Sequence, residues 1–218
     1  PIFFFFDSYH SAVNLKKEHD CSWLLFIDAD EELDWFDNSW KDKLENKTTY
    51  LIEKHHGNLR YAVPHILNIE EDEWEWRGPA HNYIAHINGP NKQKIIKDPW
   101  IIYHSGQGAK SQNHQRPENK YLRDAILFEK ELEKNPNDSR SRMYLAQSYR
   151  DAGILDKAYE NYLIRAEMEK TWEEERYISY LNCAHILKRQ KKENAQIIDM
   201  YTRAYDLRPS RPEAPYYL

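Results

Sequence analysis

The stretch Trp23-Leu24-Leu25-Phe26-Ile27-Asp28-Ala29-Asp30-Glu31-Glu32-Leu33 joins an apolar run to an acidic segment. The five apolar residues 23–27 are typical of a strand that is buried on both faces of a sheet. Asp28 and Asp30 follow at the carboxyl end of this strand, where open α/β sheets bind ligands. Carboxylate oxygens suit Mg²⁺ or Mn²⁺, which in turn bind a diphosphate. The stretch predicts an α/β fold with such a site, and a solvated acidic loop is the alternative.

The residues around this stretch predict a mixed α/β first half, residues 1–116. Apolar or alternating runs predict further strands at 2–6, 61–68, 82–87 and 94–103, and residues 8–18 are predicted to form a helix. All histidines but one lie in this half, and a polar stretch at 106–118 lies at its boundary. The change in composition predicts two modules, 1–116 and 117–218.

The second half is predicted to be entirely helical. Apolar residues recur every three or four positions in five segments: 121–133, 142–151, 155–168, 173–188 and 194–207. The small and large residues of Tyr144-Leu145-Ala146, Tyr149, Gly153, Ala158 and Tyr162 resemble the tetratricopeptide repeat, with a degenerate period after Met168. Such helices stack on their neighbours, because one pair alone cannot bury its apolar face.

Composition excludes several classes of protein. The net charge of −5 argues against a general nucleic-acid binder, and no apolar run approaches the roughly 20 residues of a membrane helix. Cys21 and Cys183 are too few for a disulfide framework. Reduced thiols and the lack of a signal-peptide pattern indicate a cytoplasmic protein. Because the chain starts at Pro1 and enters a strand at once, we expect it to be a piece of a longer protein.

Three further motifs follow the acidic segment in order. They are Trp76-Arg77-Gly78-Pro79-Ala80-His81-Asn82, then Ile102-Tyr103-His104-Ser105-Gly106, then Lys120-Tyr121-Leu122-Arg123-Asp124 with the repeat at 144–153. Together with the strand and its Asp-Ala-Asp-Glu, they resemble family 2 glycosyltransferases of the GT-A fold that carry C-terminal tetratricopeptide helices. The resemblance implies a metal-dependent enzyme that transfers a sugar from a nucleotide-sugar donor to an acceptor, with inversion.

The resemblance also implies roles for individual residues. Asp28, Asp30 and His104 are expected to bind Mn²⁺ or Mg²⁺. The nucleotide sugar is expected to contact Asp28, Asp30, Glu31 and Trp76, although core packing is the alternative for Trp76. His81 is expected at the acceptor side, as a catalytic residue or as a contact to the metal or the acceptor. A structural role for His104 at the end of its strand also stays open.

Two departures from the family bear on activity. Asn82 stands where the family usually has Glu after His, and an amide cannot act as a general base. Asp72, Glu73 or Glu75 are candidate replacements. Fewer residues precede the acidic segment than in the family, so the N-terminal nucleotide-binding part is expected to be missing.

The sequence therefore predicts a glycosyltransferase portion, or a fragment of one, fused to a helical repeat module. The expected partners are a nucleotide sugar, an unknown glycan or protein acceptor, and a protein bound by the helices. The alternative is a non-catalytic protein-interaction module derived from such an enzyme. A third possibility is metal-dependent hydrolysis of a phosphate or sugar nucleotide at the same carboxylates.

Overall fold

The computed structural model describes residues 2–5, 21–28, 31–70, 74–89, 92–104 and 117–218. The chain divides into two compact units. The first comprises Pro1–Arg77 and Asn82–His114, and the second comprises Gly78–His81 and Gln115–Leu218.

The first unit is built on a mixed β-sheet. Its strands are β1 (Ile2–Phe5), β2 (Trp23–Phe26), β3 (Glu31–Asp34), β4 (Thr48–His56), β5 (Leu59–Asn68) and β8 (Lys92–Tyr103), in the spatial order β1-β2-β5-β4-β8-β3. A 3-10 helix (Asn38–Lys43) lies between β3 and β4, and β6 (Trp74–Arg77) pairs with β7 (Tyr83–His86) in a separate hairpin.

Strand β2 is buried on both faces, as its apolar run predicts. Leu24 belongs to one apolar cluster with Leu67 and Trp74, whereas Leu25 belongs to another with Tyr50 and Ile66. The clusters lie on opposite faces because successive side chains of a strand point to opposite sides. Burial on both faces explains why this strand shows no polar alternation.

The strands predicted at 2–6, 23–27, 61–68, 82–87 and 94–103 are confirmed within a few residues at their ends. Strands β3 and β4 were not predicted. The sequence of β4, Thr-Thr-Tyr-Leu-Ile-Glu-Lys-His-His, mixes polar and apolar residues without clear alternation, and its first three residues are buried on both faces although two of them are threonines. The helix predicted at 8–18 lies outside the described residues.

The second unit is helical, as predicted. Its helices are α1 (Pro117–Lys134), α2 (Ser139–Asp151), α3 (Leu155–Glu167), α4 (Glu173–Arg189), α5 (Asn194–Leu207) and the short α6 (Glu213–Tyr217). Each helix packs against the next one along the chain, which is the arrangement of stacked helical repeats. None of the helices among the described residues combines the length and the apolarity that crossing a membrane requires.

Local signals set the ends of helix α2. The Asp138 carboxylate accepts hydrogen bonds from the Arg140 and Ser141 amides, which caps the N-terminus. After the helix ends, Gly153 takes a φ of +78°, a left-handed conformation that favours glycine. Between α2 and its neighbours, Tyr149, Ala158 and Tyr162 are buried, which confirms their predicted core positions.

Candidate functional site

Sheet topology brings the ends of three strands to one edge. Strands β2 and β4 are both antiparallel to β5, so they run in the same direction, and β8 is parallel to β4. The carboxyl ends of β2, β4 and β8 therefore lie at the same edge of the sheet. Asp28 follows β2 and His104 follows β8, so both residues lie at this edge, which we call the carboxyl edge.

Glu31 lies at the carboxyl edge beside β8. It begins β3 and pairs in the ladder with Tyr103 of β8. Neighbouring strands are about 4.8 Å apart, so the acidic segment reaches the residue that immediately precedes His104. Glu31 thus contacts Asp28 and lies beside the residue before His104, although Asp28 and His104 are 76 positions apart in the sequence.

Reciprocal hydrogen bonds join Asp28 and Glu31, and we call this hydrogen-bonded pair the acidic turn. The Asp28 amide donates to Oε2 of Glu31 at 2.9 Å, and the Glu31 amide donates to the Asp28 carbonyl at 3.0 Å. The Asp28 residue is exposed. Asp30, predicted as a metal ligand, lies outside the described residues.

Glu31 is enclosed, and Lys54 of β4 pairs with it. The Glu31 side chain is 0% exposed, and its Oε1 forms an ion pair with the Lys54 ammonium. That ammonium also lies 4.7 Å from the centre of the Tyr103 ring. Burial alone would lower the pKa of Lys54, but Glu31 together with Tyr61 and Asp28 outweighs burial, so the pKa is raised and Lys54 is charged.

His104 is partly exposed and lies beside an acidic side chain. Its Nε2 lies 3.0 Å from Oε2 of Glu32, and the side chains of His104 and Glu32 are 38% and 64% exposed. Among the described residues there is no group of three or more His, Cys, Asp or Glu side chains placed to hold a metal ion. The predicted set of Asp28, Asp30 and His104 stays a prediction, since one of its members is outside those residues.

Sequence reasoning missed His65, which lies in the interior of β5. Its Nδ1 donates to the Phe26 carbonyl at 2.7 Å, and burial lowers the pKa of its ring, which keeps it neutral. Within the described part of the chain, its Nε2 has no hydrogen-bond partner. No sequence signal marks this residue, because its position beside Phe26 depends on the pairing of β5 with β2.

The structure places His81 in the second unit, separately from its sequence neighbour. The His81 ring stacks on Tyr144 with ring centres 4.6 Å apart, and its carbonyl accepts a hydrogen bond from Arg140. Asn82 belongs to the first unit and is exposed. The acceptor-side role of His81 stays a prediction.

Trp76 is the more accessible of the two tryptophans in β6. It is exposed, and its ring meets Phe26 edge-on at 5.7 Å between centres. Trp74 is buried instead, and its indole N–H donates to the Asn68 carbonyl at 2.8 Å. Of the candidate bases, Glu75 pairs with Arg77 at 2.6 Å, whereas residues 72 and 73 lie outside the described ranges.

Comparisons with known proteins give structural likenesses only. No family model matches the sequence, and no curated protein matches it. YrrB, described as a TPR protein with an unusual peptide-binding site, is 16% identical with a TM-score of 0.39, and the match covers 45% of this chain and 48% of YrrB. This chain thus spans about half the length of YrrB.

Two further solved structures are similar at the same level. One is the Yersinia enterocolitica type III secretion chaperone SycD with a peptide of the translocator YopD, at 21% identity, TM-score 0.38, covering 45% of this chain and 72% of SycD. The other is MamA, at 22% identity, TM-score 0.39, covering 49% of this chain and 55% of MamA. At such low identities and TM-scores these likenesses assign no function to the chain.

Proposed function

We propose that the carboxyl edge of the first unit is the donor site of a metal-dependent glycosyltransferase, in which Asp28, Asp30 and His104 bind Mn²⁺ or Mg²⁺ and the diphosphate of a nucleotide sugar. The observation that carries the proposal is the position of Glu31, which is hydrogen-bonded to Asp28 and pairs in the ladder with Tyr103, the residue before His104. A carboxylate and a neutral imidazole are both suitable ligands for Mn²⁺.

The residues of this edge would do different parts of the work. Asp28, an exposed residue, and the partly exposed His104 imidazole would hold the donor through the metal. The bound metal would supply the charge that stabilises the leaving diphosphate. An exposed Trp76 offers a ring face for a base or a sugar.

Titration calorimetry tests the donor site. Mn²⁺ with a nucleoside diphosphate (UDP, GDP and ADP in turn) should bind the chain at micromolar to millimolar concentration, and the diphosphate should bind more weakly without Mn²⁺. Asp28→Asn, Asp30→Asn and His104→Gln should each weaken binding. The matched control is Asp42→Asn, an exposed carboxylate of the 3-10 helix. Absence of diphosphate binding with every nucleotide, in the presence of Mn²⁺, would contradict the proposal.

The identity of residue 82 bears on turnover. General-base assistance typically supplies about 10²–10⁴-fold in rate, and the Asn82 amide cannot provide it. We therefore expect the chain to show weak sugar transfer at most. Asn82→Glu should raise turnover without tightening donor binding, because the new carboxylate would act on the acceptor. A lower turnover in Asn82→Glu would argue that Asn82 orients the acceptor by hydrogen bonds.

The second candidate function is a non-catalytic protein-interaction module, and an observation in the helical unit favours it. Trp172, in the loop before α4, is 67% exposed. Its backbone is held, since the Trp172 carbonyl accepts a hydrogen bond from the buried Arg165. A large aromatic ring on a fixed loop is a suitable anchor for a partner protein.

Display selection of peptides on the whole chain tests this candidate. Peptides that bind through the loop should lose affinity for Trp172→Ala and keep it for Ile126→Ala, an exposed apolar residue of α1. Peptide binding together with no binding of Mn²⁺ and diphosphate would favour the non-catalytic function. Selected peptides that bind both variants equally would exclude Trp172 as the anchor.

A further inference from the structure

The ion pair between Lys54 and Glu31 joins three elements at the carboxyl edge. Lys54 belongs to β4, Glu31 begins β3 at the end of the acidic turn, and the Lys54 ammonium also lies over the ring of Tyr103 in β8. Asp28 is hydrogen-bonded to Glu31, and His104 directly follows Tyr103 in the chain. A single pair of side chains thus links the two parts of the proposed donor site.

Both carboxylate oxygens of Glu31 are already engaged. Oε1 pairs with Lys54, and Oε2 accepts the Asp28 amide at 2.9 Å. The Glu31 side chain is 0% exposed and that of Lys54 is 14% exposed. Binding a metal or a phosphate through Glu31 would require these contacts to break and would leave the Lys54 charge unpaired, which is costly for a buried group.

We propose that Glu31 and Lys54 are positioning residues that hold Asp28 at the carboxyl edge, and that Glu31 is not itself a ligand of the donor. This inference rests on the proposed function, since it names how that site is held. Glu31 fixes the Asp28 backbone through two hydrogen bonds, while the Asp28 residue stays exposed. A carboxylate on a fixed backbone loses less freedom when it binds, which favours tighter binding.

Two measurements on the same variants test the inference. Hydrogen exchange of the Asp28 and Glu31 amides reports whether the ion pair holds the turn. Calorimetry reports whether the turn affects the affinity of the donor site for Mn²⁺ and a nucleoside diphosphate. The diphosphate is UDP or whichever one binds the unaltered chain. The variants are Lys54→Met, the isosteric Glu31→Gln and the conservative Lys54→Arg. The control is Lys92→Met, which removes an exposed lysine that pairs with Glu45 in the same unit.

Lys54→Met and Glu31→Gln should accelerate exchange of both amides and weaken metal-dependent diphosphate binding by about 10–100-fold, the usual effect of losing a partner that orients a ligand. Lys54→Arg keeps the charge and should retain slow exchange and most of the affinity. Lys92→Met should change neither. If Lys54→Met fails to fold, Glu31→Gln decides the question, because it removes the charge with no change of shape.

If the Asp28 and Glu31 amides exchange at an unchanged rate in Glu31→Gln, the proposal that the Lys54–Glu31 pair holds the turn is wrong. If they exchange faster while the affinity for the diphosphate is unchanged, the proposal that the pair positions the donor site is wrong. If the unaltered chain binds no diphosphate with Mn²⁺, the proposed function fails, and exchange alone then supports or refutes the hold of Lys54 and Glu31 on the turn.

Discussion

Replacing Glu175 by Gln should destabilise the helical unit strongly, because Glu175 neutralises a guanidinium that water does not reach. The Arg165 side chain is 0% exposed, and its Nη2 lies 2.8 Å from Oε2 of Glu175. Its other donors are used by Thr171 Oγ1 at 2.8 Å and by the Trp172 carbonyl at 3.3 Å. Glu175→Gln removes the opposing charge and keeps the shape, so it leaves a buried cation without a counter-charge.

Breaking a buried pair in this way costs about 3–5 kcal/mol of unfolding free energy. Because the Glu175 side chain is 16% exposed, we expect the lower end, ~3 kcal/mol. At about 2–4 °C per kcal/mol for a chain of this size, the midpoint should fall by roughly 6–12 °C. Arg165→Met should cost less, because the Glu175 carboxylate that remains can turn toward water.

Thermal and urea unfolding followed by circular dichroism at 222 nm measures these effects, since the α-helices among the described residues lie in the second unit. The matched control is Arg203→Met, which removes an arginine from the exposed pair with Asp199 on α5 and should cost about 0.5 kcal/mol or less. If Glu175→Gln costs no more than Arg203→Met, Arg165 is hydrated in solution and the buried pair is refuted.

The remaining predictions concern other parts of the helical unit. Ala158→Trp should lower the unfolding free energy by ~1–3 kcal/mol, because Ala158 is 0% exposed between packed helices; an unchanged midpoint in urea would contradict this. Burial raises the pKa of the Cys183 thiol to about 12, so in a Cys21→Ser background a thiol reagent at pH 8 should label Cys183 only after unfolding. A hydrogen bond from Arg211 lowers the pKa of Glu213 from 4.5 to about 2. The stabilising contribution of the Glu213 carboxylate is therefore present above pH 4.5 and is lost as the pH falls toward 2. The difference in urea midpoint between the unaltered chain and Glu213→Gln should shrink across that range. A constant difference would refute this contribution.

Local sequence patterns were sufficient to predict a helix or strand wherever one continuous segment contains the whole pattern. The helices of the second unit were predictable because their apolar residues repeat with the helical period, and Asp138 and Gly153 mark the two ends of α2. Strand β2 was predictable for a related reason, since burial on both faces requires an uninterrupted apolar run. The sequence also shows that the acidic segment and His104 follow each other in the order of the family's motifs.

Only tertiary structure decided which residues meet at the candidate site. Strand pairing joins distant segments, and it brings Lys54 of the unpredicted β4 to Glu31 and places His65 against the Phe26 carbonyl. It also encloses the Glu31 side chain, a carboxylate that by sequence looks as available as Asp28. A periodic pattern records which face of an element is buried, but it holds no information on the partner across the sheet, because that contact is made by residues far away in the chain.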